Sequence, residues 1–190
     1  MIDTHKVKSF FQTGSAFSAQ DGEILIASFE EPTDIYYLDS GIVKQTITTA
    51  HGKEHCLTMY KPGSFFPLIG ALTHLPNEYV FSPVVAVTGW KMPIERVKEY
   101  VFSSPEVLLD LNIRLFKGLH GLLKKTEKLM DGDAEALLLQ TLITLSQRFP
   151  DDRSKSTIKI PFTHQQLANL TGLSRETVTR ELANLKHAGF

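Results

Sequence analysis

Residues 163–187 read THQQLANLTGLSRETVTRELANLKH, and this stretch decides how the C-terminal part of the chain folds. Thr163 with Gln166 three residues later matches a capping box, and Ser174 is a favourable N-cap for a second helix. A tight turn at residues 171–173 separates the two segments. The spacing therefore predicts two short helices joined by a turn.

The second predicted helix has two different faces. At about 100° per residue, one apolar stripe must face a core. Its members are Val178, Leu182 and Leu185. The opposite face carries Glu176, Thr179, Arg180 and Ala183. This pattern is typical of a helix-turn-helix, whose exposed second helix presents base-reading side chains to the major groove of DNA.

The composition is that of an ordinary globular chain. Its 190 residues are 42% hydrophobic and 22% charged, which suits one large or two small domains. Residues 1–17 lack the apolar region of a signal peptide, and no stretch approaches the roughly 20 apolar residues of a membrane helix. Cys56 is the only cysteine, which excludes an internal disulfide and a four-cysteine iron–sulfur cluster. We expect a cytoplasmic protein.

Charge is distributed unevenly along the chain. Residues 153–190 contain six Lys or Arg and two Glu, a net charge of +4. The remainder carries 14 basic and 19 acidic residues, a net charge of −5. A basic C-terminal segment on an acidic body suits phosphate contact at one end of the molecule and a different task at the other.

Residues 14–92 predict an antiparallel β-structure. Short apolar or alternating runs lie between glycines at positions 14, 22, 41, 52, 63, 70 and 89. The predicted strands include residues 23–26, 35–38, 42–47 and 84–87. Short strands at roughly ten-residue spacing favour a closed antiparallel roll or jelly roll. A short helix over residues 94–102 follows.

A long helix is predicted from Pro105 to about Met130. Ser104 suits its N-cap and Pro105 its first position. The leucines that recur at three- and four-residue steps are Leu108, Leu111, Leu115, Leu119, Leu122 and Leu129, with Thr126 interrupting the seam. A helix of about 25 residues is longer than one small roll covers, so pairing with a second copy is favoured over packing on its own domain.

The remaining segments complete the predicted organisation. Residues 131–133 suggest a hinge. A helix over residues 134–149 follows, and a short strand at residues 157–160 precedes the helix-turn-helix. The buried side of that helix is predicted to carry Leu137, Leu138, Thr141, Leu142 and Leu145. The predicted domains are a β-roll sensor domain (1–103), a dimerisation helix (104–130) and a DNA-binding domain (131–190).

In this order of parts, residues 14–190 resemble the cyclic-AMP receptor protein / fumarate-and-nitrate-reduction regulator (Crp/Fnr) superfamily of bacterial transcription regulators. The sharpest likeness is LSRETVTR at residues 173–180, which matches the family's recognition helix. The sensor landmarks are Tyr37, Gly41, residues 52–54 and residues 62–66. The resemblance implies an α+β fold: an antiparallel β-roll of the jelly-roll, cyclic-nucleotide-binding type, a long dimerisation helix and a winged helix-turn-helix.

The resemblance also implies roles for individual residues in DNA binding. The base-reading residues would be Arg175, Glu176, Thr179 and Arg180, and the phosphate contacts Gln165, Ser174 and Thr177. The chemistry agrees, because arginine bonds guanine O6 and N7, glutamate accepts from cytosine N4, and a threonine methyl contacts thymine. The alternative for Glu176 and Arg180 is a surface ion pair four residues apart.

The partners implied are double-stranded DNA with a palindromic operator and a second copy of the chain as a homodimer. RNA polymerase is a further partner of such regulators, but a single sequence does not mark the surface patches that meet it. The family continues into a β-hairpin wing where this sequence stops at residues 188–190. We therefore expect a truncated domain lacking its wing, and the alternative is a wing-less dimeric interaction module that does not bind DNA by itself.

The predicted sensor lacks the residues that hold a cyclic nucleotide. Family members that bind one use a Gly-Glu pair after Phe-Phe and a later arginine, because a buried phosphodiester needs a guanidinium. Here Pro67 and Leu68 follow Phe66, and no Lys or Arg occurs between Lys61 and Lys91. We expect no cyclic AMP and no other cofactor. A candidate effector pocket comprises Phe65, Phe66, Leu68, Ile69, Tyr79 and Phe81, either filled by these side chains or open to an apolar or weakly polar effector.

Other chemistries have weaker support in the sequence. His51, His55, His74 and His120 are candidate haem ligands, but ordinary surface histidines are the simpler interpretation. A jelly-roll metal dioxygenase needs clustered His and Glu ligands at strand spacing, which His51 and His55 alone do not supply. The sequence therefore predicts no catalytic residues, no metal site and no enzymatic activity.

Overall fold

The computed structural model describes residues 4–73, 75–151, 154–158 and 162–189 of the chain. These residues form two compact units, one of residues 1–53 with 57–116 and the other of residues 54–56 with 117–190. The division falls inside the long central helix. The three-part domain division given above remains a prediction.

The first unit is built mainly from β-strands with helices at both ends. Its elements, in chain order, are α1 (Thr4–Phe11), β1 (Ser15–Ala19), β2 (Asp34–Thr48), β3 (Glu54–Tyr60, whose first three residues group with the second unit), β4 (Phe65–Phe66), α2 (Ile69–Thr73), β5 (Val80–Pro93) and α3 (Ile94–Ser103). The predicted helix over residues 94–102 is confirmed as α3.

The sheet of this unit is antiparallel and open. Its strand order is β1-β5-β2-β3, and the short strand β4 pairs with β2. The long strands β2 and β5 form its centre, with a register that runs from Asp34 opposite Pro93 to Thr46 opposite Val80. The antiparallel β-roll is confirmed, but the expectation that it closes is wrong: β1 and β3 end the path of paired strands.

Two of the predicted strands are one. Residues 35–38 and 42–47 belong to the single strand β2, which shifts register around Gly41. Gly41 has φ +82°, and a side chain there would collide with the carbonyl oxygen of Ala86. The glycine was interpreted as a break between strands, whereas it allows one strand to bend while staying paired.

The strand predicted at residues 23–26 is not formed. Only Ile26 makes an isolated bridge, to Phe81. Ile24 is 63% exposed, so the apolar run does not enter the core as a whole. An apolar tetrapeptide predicts burial, but it acquires strand geometry only where a neighbouring strand offers partners.

The second unit contains the C-terminal helices. Its elements are the second half of α4 (Pro105–Asp131), α5 (Ala134–Arg148), β6 (Pro150–Asp151), β7 (Ser154–Ile158), α6 (His164–Thr171) and α7 (Arg175–His187). The predicted bounds of α4 and α5 agree with the structure to within one residue. β6 and β7 form an antiparallel pair, and residues 159 and 160 of the predicted strand lie outside the described residues.

The predicted hinge has a defined geometry. Gly132 has φ +68°, which ends α4, and the Asp133 side chain accepts a hydrogen bond from the backbone N–H of Ala136 at 2.8 Å. Asp133 is thus the N-cap of α5. Leu137, Leu138 and Leu145 are buried as expected. In the described part of the chain, no helix is long and apolar enough to cross a membrane.

Candidate nucleic-acid interface

Helix α6 is held at both ends by local hydrogen bonds. The Thr163 hydroxyl accepts from the backbone N–H of Gln166 at 3.1 Å, and the Gln166 side-chain oxygen accepts from the backbone N–H of Thr163 at 2.8 Å. The predicted capping box is confirmed. At the other end Gly172 has φ +85°, and its N–H donates to the carbonyl of Ala168 at 2.8 Å. The left-handed glycine ends α6 and turns the chain toward α7.

Helix α7 begins where the sequence predicts. The Ser174 hydroxyl accepts from the backbone N–H of Thr177 at 3.1 Å and forms the N-cap. In the turn, the buried Thr171 hydroxyl donates to the carbonyl of Leu167 at 2.8 Å and accepts from the N–H of Leu173 at 3.3 Å. These bonds fix the connection between the two helices, so α6 and α7 form a helix-turn-helix.

The buried side of α7 differs in one position from the prediction. Val178 and Leu185 are buried, but Leu182 is only half-buried, whereas Glu181 is 7% exposed. At 3.6 residues per turn, Glu181 and Leu182 lie about 50° on either side of the midline between Val178 and Leu185. The sequence interpretation passed over Glu181 because a charged residue was not expected there.

The opposite side of α7 is exposed. Glu176, Thr179, Arg180 and Ala183 lie on this surface, and Arg175 is exposed at its border with the buried side. This is the face that the sequence predicts for base reading. Exposed side chains of these types on the second helix supply both donors and acceptors to a groove.

Arg180 and Glu176 do not form the surface ion pair considered as the alternative. The Arg180 guanidinium instead donates to Glu181 Oε1, from Nε at 2.9 Å and from Nη2 at 2.7 Å. Glu181 Oε2 accepts from Asn184 Nδ2 at 2.9 Å. These bonds, above all that from Arg180, hold the pKa of Glu181 below its usual range.

The Glu176 carboxylate is engaged at the start of α7. Hydrogen bonds from its own backbone N–H and from Ser174 lower the pKa of Glu176. A carboxylate in the first turn also complements the helix dipole. Glu176 is therefore a charged acceptor at neutral pH, exposed on the predicted base-reading face.

Thr179 is linked to helix α6. Its hydroxyl lies 2.9 Å from the carbonyl oxygen of Arg175, to which it donates, and 2.8 Å from His164 Nδ1. A hydroxyl has one proton, so with that proton on the carbonyl, Thr179 accepts from His164 Nδ1–H. The methyl group is then the part of Thr179 without a hydrogen-bonding role, and it suits contact with a thymine methyl.

The predicted phosphate-contacting residues lie at the N-terminal ends of the two helices. Gln165 is exposed in the first turn of α6 and donates to Asn169 at 2.9 Å. Ser174 and Thr177 lie at the start of α7, with their hydroxyls 3.0 Å apart. Helix N-termini present unpaired backbone N–H groups that favour anions, so both places suit phosphate.

Lys125 connects α4 to the helix-turn-helix. Its ammonium group donates to the carbonyl of Leu170, in the last turn of α6, at 2.7 Å. Partial burial lowers the pKa of Lys125. A cation at a helix C-terminus is favourable because it meets the negative end of the helix dipole.

The predicted dimerisation leucines are mostly on the surface of α4. Leu108, Leu115, Leu119, Leu122 and Leu129 are exposed, whereas Leu111 is half-buried against the core of the first unit. The sequence interpretation missed a second exposed series one position further on: Leu109, Phe116, Leu123 and Met130. These residues recur every seven positions, as Leu108, Leu115, Leu122 and Leu129 do. This heptad spacing could have revealed the second series from the sequence.

The residues of the predicted effector pocket are divided between two clusters. Phe65 and Leu68 belong to a core formed with α1 and α3, whereas Phe66, Phe81 and Tyr79 belong to the interior of the sheet. Ile69 is exposed. The six residues therefore do not surround one space.

Aromatic rings fill the core of the β-roll. Phe66 stacks on Phe81 with ring centres 5.4 Å apart and on Tyr36 at 5.8 Å, and Tyr60 lies 4.8 Å from Phe66. A nearby apolar cavity, lined in part by Leu68, has a volume of about 10 Å³, the lower limit for one water molecule. An open depression of about 360 Å³ beside Trp90 contains none of the predicted pocket residues.

The histidines weighed as metal ligands gain no support. His51 is exposed in a turn, His120 is exposed on α4, and His74 lies outside the described residues. Within the described ranges, no group of three or more His, Cys, Asp or Glu side chains is placed to hold a metal ion.

A β-roll followed by a long helix and a helix-turn-helix defines a class of two-part transcription regulators. Residues 16–103 match the family described as "cyclic nucleotide-binding domain", and residues 136–190 match the "Crp-like helix-turn-helix domain". The chain belongs to the Crp/Fnr superfamily of bacterial transcription regulators. It is a DNA-binding regulator of that type and not an enzyme.

The similarity to individual relatives extends over most of the chain. It is 25% identical over 170 residues to the CRP-like cAMP-activated global transcriptional regulator of Mycobacterium tuberculosis, covering 89% of this chain and 76% of that protein. It is 26% identical over 171 residues to the cAMP-activated global transcriptional regulator CRP of Haemophilus influenzae, covering 86% and 76%. The c-di-GMP responsive regulator CLP of Xanthomonas campestris has the same fold, with a TM-score of 0.80, 20% identity and coverage of 98% and 93%.

Proposed function

We propose that two copies of this chain pair along α4 and bind a palindromic operator, each inserting α7 into the major groove. The observation that carries the proposal is the two-sided character of α7, with Val178 buried and Arg175, Glu176, Thr179 and Arg180 exposed. Paired recognition helices of this kind meet half-sites about 34 Å apart, one turn of DNA. The operator would therefore be an inverted repeat.

In the proposed complex, each exposed residue has a role that follows from its chemistry. Arg180 and Arg175 donate to guanine, Glu176 accepts from cytosine, and Thr179 contacts a thymine methyl. Gln165, Ser174 and Thr177 contact phosphates and set the register of the protein on the duplex. Specificity thus lies in α7, and part of the affinity lies at the two helix N-termini.

Pairing of two copies is supported by the surface of α4. Two exposed series of seven-residue spacing run along the helix side by side and give a broad apolar band. A contiguous exposed apolar surface is unfavourable in water and is typical of an interface. Helices with such repeats bury the band against a second copy of the same helix.

The pairing is tested by analytical ultracentrifugation of the variant Leu122→Glu/Leu123→Glu. Two carboxylates in the apolar band are expected to convert a dimer to a monomer, because an unpaired charge is costly to bury. Lys117→Glu, on the far side of α4, is the control and should leave the dimer intact. A monomer before any substitution would refute this part of the proposal.

We further propose that the β-roll does not bind a cyclic nucleotide. Pro67 and Leu68 occupy the positions of the ribose-binding pair, no Lys or Arg occurs between Lys61 and Lys91, and the Phe66 and Phe81 rings occupy the interior. Isothermal titration with cyclic AMP should give no binding heat. Native mass spectrometry distinguishes the remaining cases, since a copurifying molecule would identify an effector and a clean chain mass would favour a filled interior.

DNA binding is tested by selecting operators from random duplexes and measuring affinity by fluorescence anisotropy. Arg180→Ala should cost about 1–3 kcal/mol of binding free energy and relax base preference at one position of each half-site. Unchanged affinity and preference would refute the base-reading assignment. If no duplex is bound specifically, the chain is instead the dimeric interaction module that does not bind DNA by itself.

A further inference from the structure

We propose that Glu181 is a positioning residue for base recognition: its buried carboxylate, held by Asn184, fixes the Arg180 guanidinium in the orientation that reads guanine. The assignment deepens the proposed function and rests on it, because Arg180 must face DNA for its orientation to matter. Glu181 itself contacts no base in this proposal. Its effect on DNA passes through the two hydrogen bonds to Arg180.

The bonds to Glu181 occupy only one edge of the guanidinium. Nε and Nη2 of Arg180 both donate to Glu181 Oε1, at 2.9 and 2.7 Å. The five N–H groups of arginine lie in one plane, so both hydrogens of Nη1 and the outer hydrogen of Nη2 are not used in these bonds. Two adjacent N–H groups are what guanine O6 and N7 require. The pair with Glu181 therefore leaves the base-reading edge available.

The carboxylate is itself held in place. Its side chain is 9% exposed, and its second oxygen accepts from Asn184 Nδ2 at 2.9 Å, so each oxygen has a donor. The Arg180 side chain, by contrast, is 66% exposed. An exposed arginine samples many rotamers, and fixing one before DNA arrives reduces the entropy lost on binding. The buried Glu181 carboxylate, which we call the anchor, restricts the exposed Arg180 guanidinium in this way.

Stability alone does not account for a glutamate at this position. Residue 181 lies on the side of α7 that buries Val178 and Leu185. An apolar side chain there would fill the same space without the cost of removing a carboxylate from water. A glutamate that is buried, bonded through both oxygens and adjacent in sequence to the predicted guanine reader is better explained by its effect on that reader.

The test compares the chain with Glu181→Gln, Glu181→Leu, Asn184→Ala and Arg180→Ala. A pool of duplexes, each with a random core of about 20 base pairs, covers two half-sites one turn apart. The unsubstituted chain should select one guanine in each half-site that Arg180→Ala no longer selects. Anisotropy on the selected duplex, and on duplexes with each other base at that position, then gives the discrimination for guanine.

Substitution of Glu181 should reduce the discrimination for guanine without abolishing DNA binding. We expect Glu181→Gln and Glu181→Leu to lower the preference for guanine about tenfold, and Arg180→Ala to lower it by up to about a hundredfold. Preference at the other positions of the site, and affinity for a duplex of unrelated sequence, should stay unchanged. Asn184→Ala should have a smaller effect in the same direction. Thermal unfolding of each variant checks that α7 stays folded.

The outcomes separate this inference from the proposed function. If the unsubstituted chain selects no sequence, both fail. If it selects an Arg180-dependent guanine that Glu181→Gln and Glu181→Leu still read with full discrimination, only the anchor is refuted. A uniform loss of affinity for every duplex, accompanied by a lower Tm, would show that Glu181 is structural and would also overturn the inference.

Discussion

The interior of the β-roll and the outer face of α7 were both predicted as functional surfaces, but their residues lie in opposite environments. In the roll, Phe66 and Phe81 are almost completely buried and stack on each other. On α7, Thr179 and Arg180 are exposed, and hydrogen bonds to neighbouring residues orient them. The aromatic rings fill the core of the roll, whereas the side chains on α7 are exposed and oriented by hydrogen bonds.

The difference shows where each kind of residue contributes to function. Aromatic rings packed together stabilise a fold through apolar burial. Oriented polar groups on a surface add little to stability but determine what the surface recognises. Substitutions in the two regions should therefore act on different measurements, the unfolding free energy in one and base preference in the other.

The largest effect is expected from Phe66→Ala. Phe66 is 0% exposed and contacts three aromatic rings, so its removal leaves a cavity. The free energy of unfolding, measured by urea denaturation, should fall by about 3–5 kcal/mol. Phe102→Ala is the matched control, because Phe102 is 65% exposed, and it should change stability little. Equal losses for the two variants would contradict a filled interior.

A smaller loss of stability is expected from Thr163→Ala. Thr163 forms the capping box of α6 with Gln166, and its loss leaves a backbone N–H of the first turn without its partner. The unfolding free energy should fall by about 1 kcal/mol, within the 0.5–2 kcal/mol range of N-cap substitutions. The control is Thr144→Ala, whose threonine lies inside α5. An equal effect there would show that the cap is not responsible.

The parts of the fold that the sequence predicts well have local causes. The capping box at Thr163, the N-cap at Ser174 and the helix start at Pro105 each depend on residues within four positions of one another. The recognition of a helix-turn-helix and of its exposed face followed from these signals and from helical periodicity. Caps and turns of this kind form wherever the same residues occur at the same spacing, so these helices can be predicted without knowledge of tertiary contacts.

The parts that the sequence did not predict depend on contacts distant in the chain. Gly41 joins two predicted strands into β2 because β5 pairs along both of them, and the run at residues 23–26 reaches β5 through backbone hydrogen bonds of Leu25 and Ile26 to Phe81. The predicted pocket divides because α1 and α3 pack on Phe65 but not on Phe66. Glu181 is an exception, because its partners Arg180 and Asn184 are close in the chain; its burial is unexpected because it is a charged residue on the apolar side of α7.

The bond between His164 and Thr179 provides a finer test of the exposed face. His164→Ala removes the donor that holds the Thr179 hydroxyl, so Thr179 should adopt more rotamers and read its base pair less selectively. We expect a modest fall in preference at that one position, and about 0.5 kcal/mol or less of stability, because the bond is exposed. His187→Ala, at the exposed end of α7, is the matched control. A change at several base pairs would indicate a general role instead.

The smallest effect concerns the pH dependence at the start of α7. Hydrogen bonds from its own backbone N–H and from Ser174 lower the pKa of Glu176 in the folded chain. A carboxylate whose folded pKa is depressed adds stability above its unfolded pKa, near 4.5, and this stability is lost as the pH falls through the folded value. Glu176→Gln should therefore lower Tm slightly at pH 7, and the difference from the unsubstituted chain should shrink below pH 4.5. A Tm difference for Glu176→Gln that stays constant across this range would mean that the carboxylate charge does not stabilise the start of α7.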